Sequence, residues 1–193
     1  MKRNVYISYI HSESMNFKTK IIDRFKGRKY KSSEEAFTTQ TTNILSNEDE
    51  LTLVRKNVSR SDVTVVFITR SILESTWIPF EVEMSLQTVD PFNKPISPKG
   101  IVGVVIPDMG NDYSYMMKKG LKGIWTADKS KLPNIISANT HNEVVLQNKH
   151  NVNYDSYISI YRWEDFVRDY ENCISIAYDK ATKHFEEYSI TYK

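Results

Sequence analysis

The chain has 193 residues, with 26 Lys and Arg against 24 Asp and Glu, a formal charge of +2. The two signs are interspersed, which excludes a nucleic-acid stripe or a polybasic membrane anchor, and 40% hydrophobic with 26% charged residues excludes a disordered chain. A single cysteine rules out an internal disulfide, no apolar run approaches the ~18 residues that span a bilayer, and no cleavable leader opens the sequence, so a cytoplasmic setting is expected.

Asn4 to Ile10 reads as a strand, rich in β-branched and aromatic residues. Phe17, Ile21, Ile22 and Phe25 then recur at helical spacing until Gly27, completing a first βα unit. A second strand is expected near Glu35 to Thr38, followed by a polar loop to Asn47. Asn47 and the acids after it open a helix with Leu51, Val54 and Val58 on one stripe.

Val63 to Thr69 is continuously apolar, as suits a parallel strand covered on both faces. Ser71 and Glu74 have the spacing of a capping box for a one-turn helix, and a further helix runs from Trp77 to about Val89. Pro79 is tolerated because it falls in the first turn. Pro91, Pro95 and Pro98 require an extended connection, after which Gly100 to Ile106 forms another buried strand.

Short strands are expected at Leu121 to Trp125 and Glu143 to Gln147. From Trp163 or Glu164 to about Glu187, Phe166, Tyr170, Cys173, Ala177, Ala181 and Phe185 step by three or four, which predicts one long amphipathic helix. Cys173 within it reads as a packing thiol, not a nucleophile. Alternating β and α elements predict an α/β fold with a parallel sheet and helices on both faces. The whole of 1–193 reads as one domain, with a core over about 3–130 and an extension over about 131–193 that carries the long helix.

Several chemistries lack their residues. There is no Cys pair or His-Glu-x-x-His for a metal, no glycine-rich phosphate loop and no Gly-x-Ser-x-Gly elbow. What remains lies at two strand ends. Ser8, Tyr9 and His11 bring a hydroxyl, a phenol and an imidazole to the exit of the first strand, and Trp77 and Glu81 stand four apart on the helix after the third. Open α/β sheets bind ligands at such carboxyl ends.

Each residue also has a plainer reading. Trp77 can be a core aromatic, Tyr9 a packing residue, Ser8 a turn cap and His11 a solvated loop residue. Glu81 is the sharper candidate, because it lies between Phe80 and Val82 in an apolar helix and a buried carboxylate requires partners. Glu83, rotated away, reads as solvent-facing.

The run Ser61-Asp62-Val63-Thr64-Val65-Val66-Phe67-Ile68-Thr69, followed by Trp77-Ile78-Pro79-Phe80-Glu81-Val82 and preceded by Val5-Tyr6-Ile7-Ser8-Tyr9, resembles TIR and TIR-like domains over about residues 3 to 106. Among them it looks most like the bacterial TIR-like proteins of the Thoeris anti-phage system. The resemblance implies a flavodoxin-like three-layer fold with a central, mainly parallel sheet of about five strands, and cleavage of NAD+ as substrate, with no cofactor and no metal. It makes Glu81 the catalytic carboxylate, and it places Ser8, Tyr9, Ile10, His11, Phe37, Thr38 and Trp77 around the nicotinamide-ribose pocket. It further implies a cyclic or rearranged ADP-ribose signal, a phage-derived trigger, a separate effector and a capacity for homo-oligomers, without nucleic acid or membrane partners. Thr38 and Ile10 stand where several catalytic members carry an acid and a base.

Two rivals belong to other classes. A non-catalytic TIR-like assembly module would use Glu81 structurally, paired with a buried cation or backbone donors. A receiver-like domain would want acids after the first strand and an Asp ending the third, where Ser8-Tyr9 and Thr69-Arg70 stand.

Overall fold

The computed structural model describes residues 3–32, 47–89, 94–120, 123–141 and 155–192. Five parallel strands form the central sheet: β1 (Arg3–Ser8), β2 (Tyr30–Ser32), β3 (Val63–Ile68), β4 (Gly100–Val105) and β7 (Ser159–Arg162), in the order β2-β1-β3-β4-β7. Chain direction across the sheet reverses between β1 and β3, the flavodoxin-like switch point outside which open α/β sheets bind ligands. The central strands β3 and β4 are buried along their whole length because helices cover both faces of the sheet.

Side chains alternate along each strand and so divide between two layers. One face sends Val5, Ile7, Val63, Val65, Phe67, Val102 and Val104 against α1 (His11–Phe25), α5 (Trp163–Arg168) and α6 (Tyr170–Lys183). The other sends Val66, Ile68, Ile101 and Val105 against α3 (Trp77–Leu86) and α4 (Asn134–Ala138), while Tyr6 packs on Val54 and Val58 of α2 (Asn47–Ser59). A small antiparallel hairpin, β5 (Met117–Lys119) with β6 (Trp125–Ala127), lies beside this sheet.

Several elements depart from the sequence reading. The second strand is Tyr30–Ser32, only three residues after the turn at Gly27, whose φ of +73° suits glycine; Glu35 to Thr38 lies outside the described residues. Of the short strand expected over Leu121 to Trp125, the described residues form strand only from Trp125, on to Ala127; Leu121 and Lys122, like Glu143 to Gln147, lie outside them. The helix from Trp77 ends at Leu86, short of Val89. Gln87 is extended there, and the returning chain takes the freed carbonyls through Lys99 N–H to Ser85 O (2.7 Å) and Ile96 N–H to Thr88 O (2.8 Å).

Ser71 does not close a capping box with Glu74. Its hydroxyl donates to Glu13 on α1 instead, at 2.5 Å. The long C-terminal helix is two helices broken at Asp169 (φ −136°, ψ 35°), whose carboxylate accepts from Asn172 Nδ2 at 3.0 Å. Asp favours such local bonding over helix interiors. The segment expected as an extension supplies β7, which pairs with β4, together with α5 and α6, two of the three helices on one face.

Candidate functional site

Tyr6 and Ser8 stand two apart on β1, so both side chains emerge on the α2/α3 face of the sheet. Across from them α3 is apolar on nearly every side, and Glu81 on it is 8% exposed. Its carboxylate meets both β1 hydroxyls: Tyr6 Oη donates to Oε1 at 2.5 Å, and Ser8 Oγ donates to Oε2. A buried carboxylate without such donors would carry a heavy desolvation cost.

The polar contact continues one helical turn further. Ser85 Oγ donates to the Glu81 carbonyl at 2.8 Å and shares a 2.8 Å hydrogen bond with Thr64 of β3. Tyr6 lies opposite Thr64 and Ser8 opposite Val66 in the β1–β3 register, so the seam crosses the switch point of the sheet. Asn57 on α2 is also fully buried, and neither side-chain polar atom has a hydrogen-bond partner among the described residues. A carboxylate held this way is a fixed acceptor, aimed by two hydroxyls that a ligand's own hydroxyls could replace.

Trp77 does not share this environment. It is 38% exposed, meets Phe80 edge-on at 6.2 Å, and borders an open groove with Leu51 and Thr76. The four-residue spacing puts Trp77 and Glu81 on neighbouring turns, yet one faces outward along α2 and the other inward to β1.

The first-strand exit residues disperse. Tyr9 packs on the opposite face of the sheet, where its hydroxyl accepts from Lys18 Nζ at 3.1 Å and the same ammonium stands 4.2 Å from its ring centroid. Ile10 starts α1 through its carbonyl, which accepts from the N–H groups of Glu13 and Ser14. His11 is exposed at the first position of α1. Phe37 and Thr38 lie outside the described residues.

Sequence reading passed over Tyr6, Thr64 and Ser85. The two-residue spacing of Tyr6 and Ser8 was the available signal. The largest of the described cavities, about 530 Å³, lies at the opposite end of the sheet among Arg3, Lys29, Tyr30, Asp62, Glu171 and Tyr178, and Glu81 is not one of its walls. Among the described residues no group of three His, Cys, Asp or Glu could hold a metal, and no helix is long and apolar enough to cross a membrane.

No family model matches the chain. A solved structure has a similar course. It is that of the TIR domains in the activated Roq1 resistosome directly recognizing the pathogen effector XopQ, at 14% identity and a TM-score of 0.40, covering 91% of this chain and 84% of that one. At that level the likeness says nothing of function, and the flavodoxin-like assignment rests on the strand order itself.

Proposed function

We propose that this chain is a TIR-like enzyme that cleaves the nicotinamide–ribose bond of NAD+, with Glu81 as the catalytic carboxylate. The observation that supports it is the buried Glu81 side chain, aimed by Tyr6 and Ser8 across the switch point of a parallel sheet. In the reaction the C1′–N bond breaks and its electron pair stays on the ring nitrogen, so nicotinamide leaves neutral and positive charge builds on the ribose. A fixed carboxylate stabilises that oxocarbenium-like state and accepts hydrogen bonds from the ribose hydroxyls. Those hydroxyls take the positions that Tyr6 and Ser8 fill at rest.

The nicotinamide ring of NAD+ is already cationic and needs no acid to depart, so one carboxylate suffices where ordinary glycosidases use two. Attack by water gives ADP-ribose; attack by a hydroxyl or the adenine of the same molecule gives a cyclic or rearranged isomer. The latter product suits a cytoplasmic second messenger of anti-phage defence, made after a phage-derived trigger and read by a separate effector. Incubation with NAD+, alone and with phage-infected lysate, tests the reading by release of nicotinamide.

A second reading has its own observation. Both oxygens of Glu81 are engaged by β1 hydroxyls, an arrangement that also serves as a tie between strand and helix. Leu73 at 59% and Trp77 at 38% exposure then supply apolar surface for a non-catalytic assembly module. Under that reading Glu81→Gln changes stability and leaves no turnover to lose.

A further inference from the structure

A separate cavity of about 250 Å³ opens at the carboxyl ends of β3 and β4, walled by Glu13, Thr69, Arg70, Ile106, Pro107, Asp108 and Tyr115. It is smaller than the roughly 300–1,000 Å³ of pockets that hold drug-sized ligands, which limits its occupant to about one ring with a substituent. The floor is closed by Tyr115, whose hydroxyl lies 2.6 Å from Ile106 O and 3.0 Å from Ile68 O and so ties the two strand ends together.

The polar groups around the cavity define a narrow chemistry. Glu13 accepts from Ser71 Oγ, and a carboxylate has about four lone-pair sites, so acceptor capacity remains. Burial acts to raise the Glu13 pKa, but the Ser71 hydroxyl, with further pulls from Thr69 and the Ser71 backbone, outweighs it and holds the carboxyl below its ordinary value. Thr69 is only 3% exposed, and among the described residues its hydroxyl meets no acceptor at full hydrogen-bond geometry, although it lies near enough to Glu13 to help lower that carboxyl's pKa. A buried hydroxyl without a partner carries a desolvation cost that a ligand could relieve.

The rim holds an ion pair. Arg70 gives Nε and Nη2 to Asp108 Oδ2, at 3.1 and 2.6 Å, and stands 5.0 Å from the Tyr115 ring centroid. A guanidinium has five N–H donors, so these two bonds leave others for an anion at the mouth. Asp108 is engaged on both oxygens, Oδ2 by Arg70 and Oδ1 by Met109 N–H at 2.9 Å.

We propose that this cavity is a binding site for a phosphorylated ribose, with the sugar hydroxyls donating to Glu13 and pairing with Thr69 while the phosphate meets the unused donors of Arg70. An anion alone leaves Thr69 unpartnered and meets Glu13 as a like charge; an uncharged sugar leaves the Arg70 donors idle. The shared chemistry is found in free sugar phosphates and in the ribose phosphates of nucleotides. The site is distinct from the Glu81 seam and does not depend on NAD+ cleavage.

Titration calorimetry with ribose 5-phosphate, followed by ¹⁵N shift mapping, tests it on the full chain. Saturable binding is expected, with shifts centred on Thr69, Arg70 and Asp108. Glu13→Gln, on an exposed residue, should weaken it about tenfold, as should Thr69→Val; if the latter fails to fold, Thr69→Ser should retain binding. 2-Deoxyribose 5-phosphate should bind about tenfold more weakly than the ribose compound. ADP-ribose binding tighter than ribose 5-phosphate assigns the site to nucleotides, and equal binding assigns it to sugar phosphates. Absence of saturable binding, affinity unchanged in Glu13→Gln, or inorganic phosphate binding as tightly as ribose 5-phosphate each overturns the proposal. Loss of NAD+ turnover in Glu81→Gln with ribose 5-phosphate binding intact separates the two sites.

Discussion

Tyr6 on the first strand and Glu81 on the third helix, 75 residues apart in sequence, are joined by a hydrogen bond of 2.5 Å from phenol to carboxylate. That bond, with its neighbour from Ser8, determines how a charged side chain is kept inside an otherwise apolar layer. Tyr6→Phe removes one donor and retains the ring that packs on Val54 and Val58. The expected cost is about 1 kcal/mol, or roughly 2–4 °C in Tm. If NAD+ is the substrate and its ribose hydroxyls displace the phenol from Oε1, loss of that competitor should lower KM about tenfold, corresponding to about 1.4 kcal/mol, with little change in kcat.

Glu81→Ala leaves both β1 hydroxyls buried without their acceptor. Thermal or urea unfolding should show a loss of about 1–3 kcal/mol, and the double variant with Tyr6→Phe should be less than additive because the two act as one unit.

Gly100 begins β4 directly beneath α6. A Cβ there would press into the backbone of Ala177 and Tyr178, which cannot move without lifting the helix from the sheet. Gly100→Ala should cost about 1–3 kcal/mol by denaturant unfolding, more than a typical surface substitution.

Cys173 is buried, and its thiol is pushed up to about 12, first by burial and then by the nearby Asp169 charge. At pH 8 it is protonated. Reaction with a thiol reagent should be slow in the folded protein and rapid after denaturation; fast modification of folded protein would contradict its packing role.

Much of this fold was legible because it depends on local pattern. Val63 to Ile68 and Gly100 to Val105 declared themselves by unbroken apolar runs, and α1 and α2 by their stripes. The short β2 was not, since three residues carry no period. The break at Asp169 was hidden because Phe166 and Tyr170 continue the helical spacing across it and only the backbone reveals the change. Glu81 stood out as an acid in an apolar helix, whereas its partner Tyr6 did not, because a tyrosine in a strand is ordinary until the facing helix is placed. Trp77 was expected beside Glu81 from spacing alone, but the orientation of α3 against α2 decides its exposure, and that is a tertiary property.

Asp128 carries a pH signature independent of the site. Its pKa is lowered to about 2, first by the Lys118 side chain and then by Ser130. A depressed carboxyl contributes stability that is present above its ordinary value of 3.8 and lost as pH falls through the folded value. An NMR titration should place the Asp128 midpoint near 2, and Lys118→Ala should move it upward toward the ordinary value.

The central claim concerns the chemistry of Glu81, and product analysis tests it most directly. NAD+ incubated with the wild-type chain and with Glu81→Gln, each with and without phage-infected lysate, is followed by chromatography and mass measurement. The account predicts nicotinamide together with ADP-ribose or an isomer from the wild type, and a rate about 10²–10³ lower from a folded Glu81→Gln variant. Nicotinamide absent from the wild type in both conditions, or released equally fast by the variant, would contradict it.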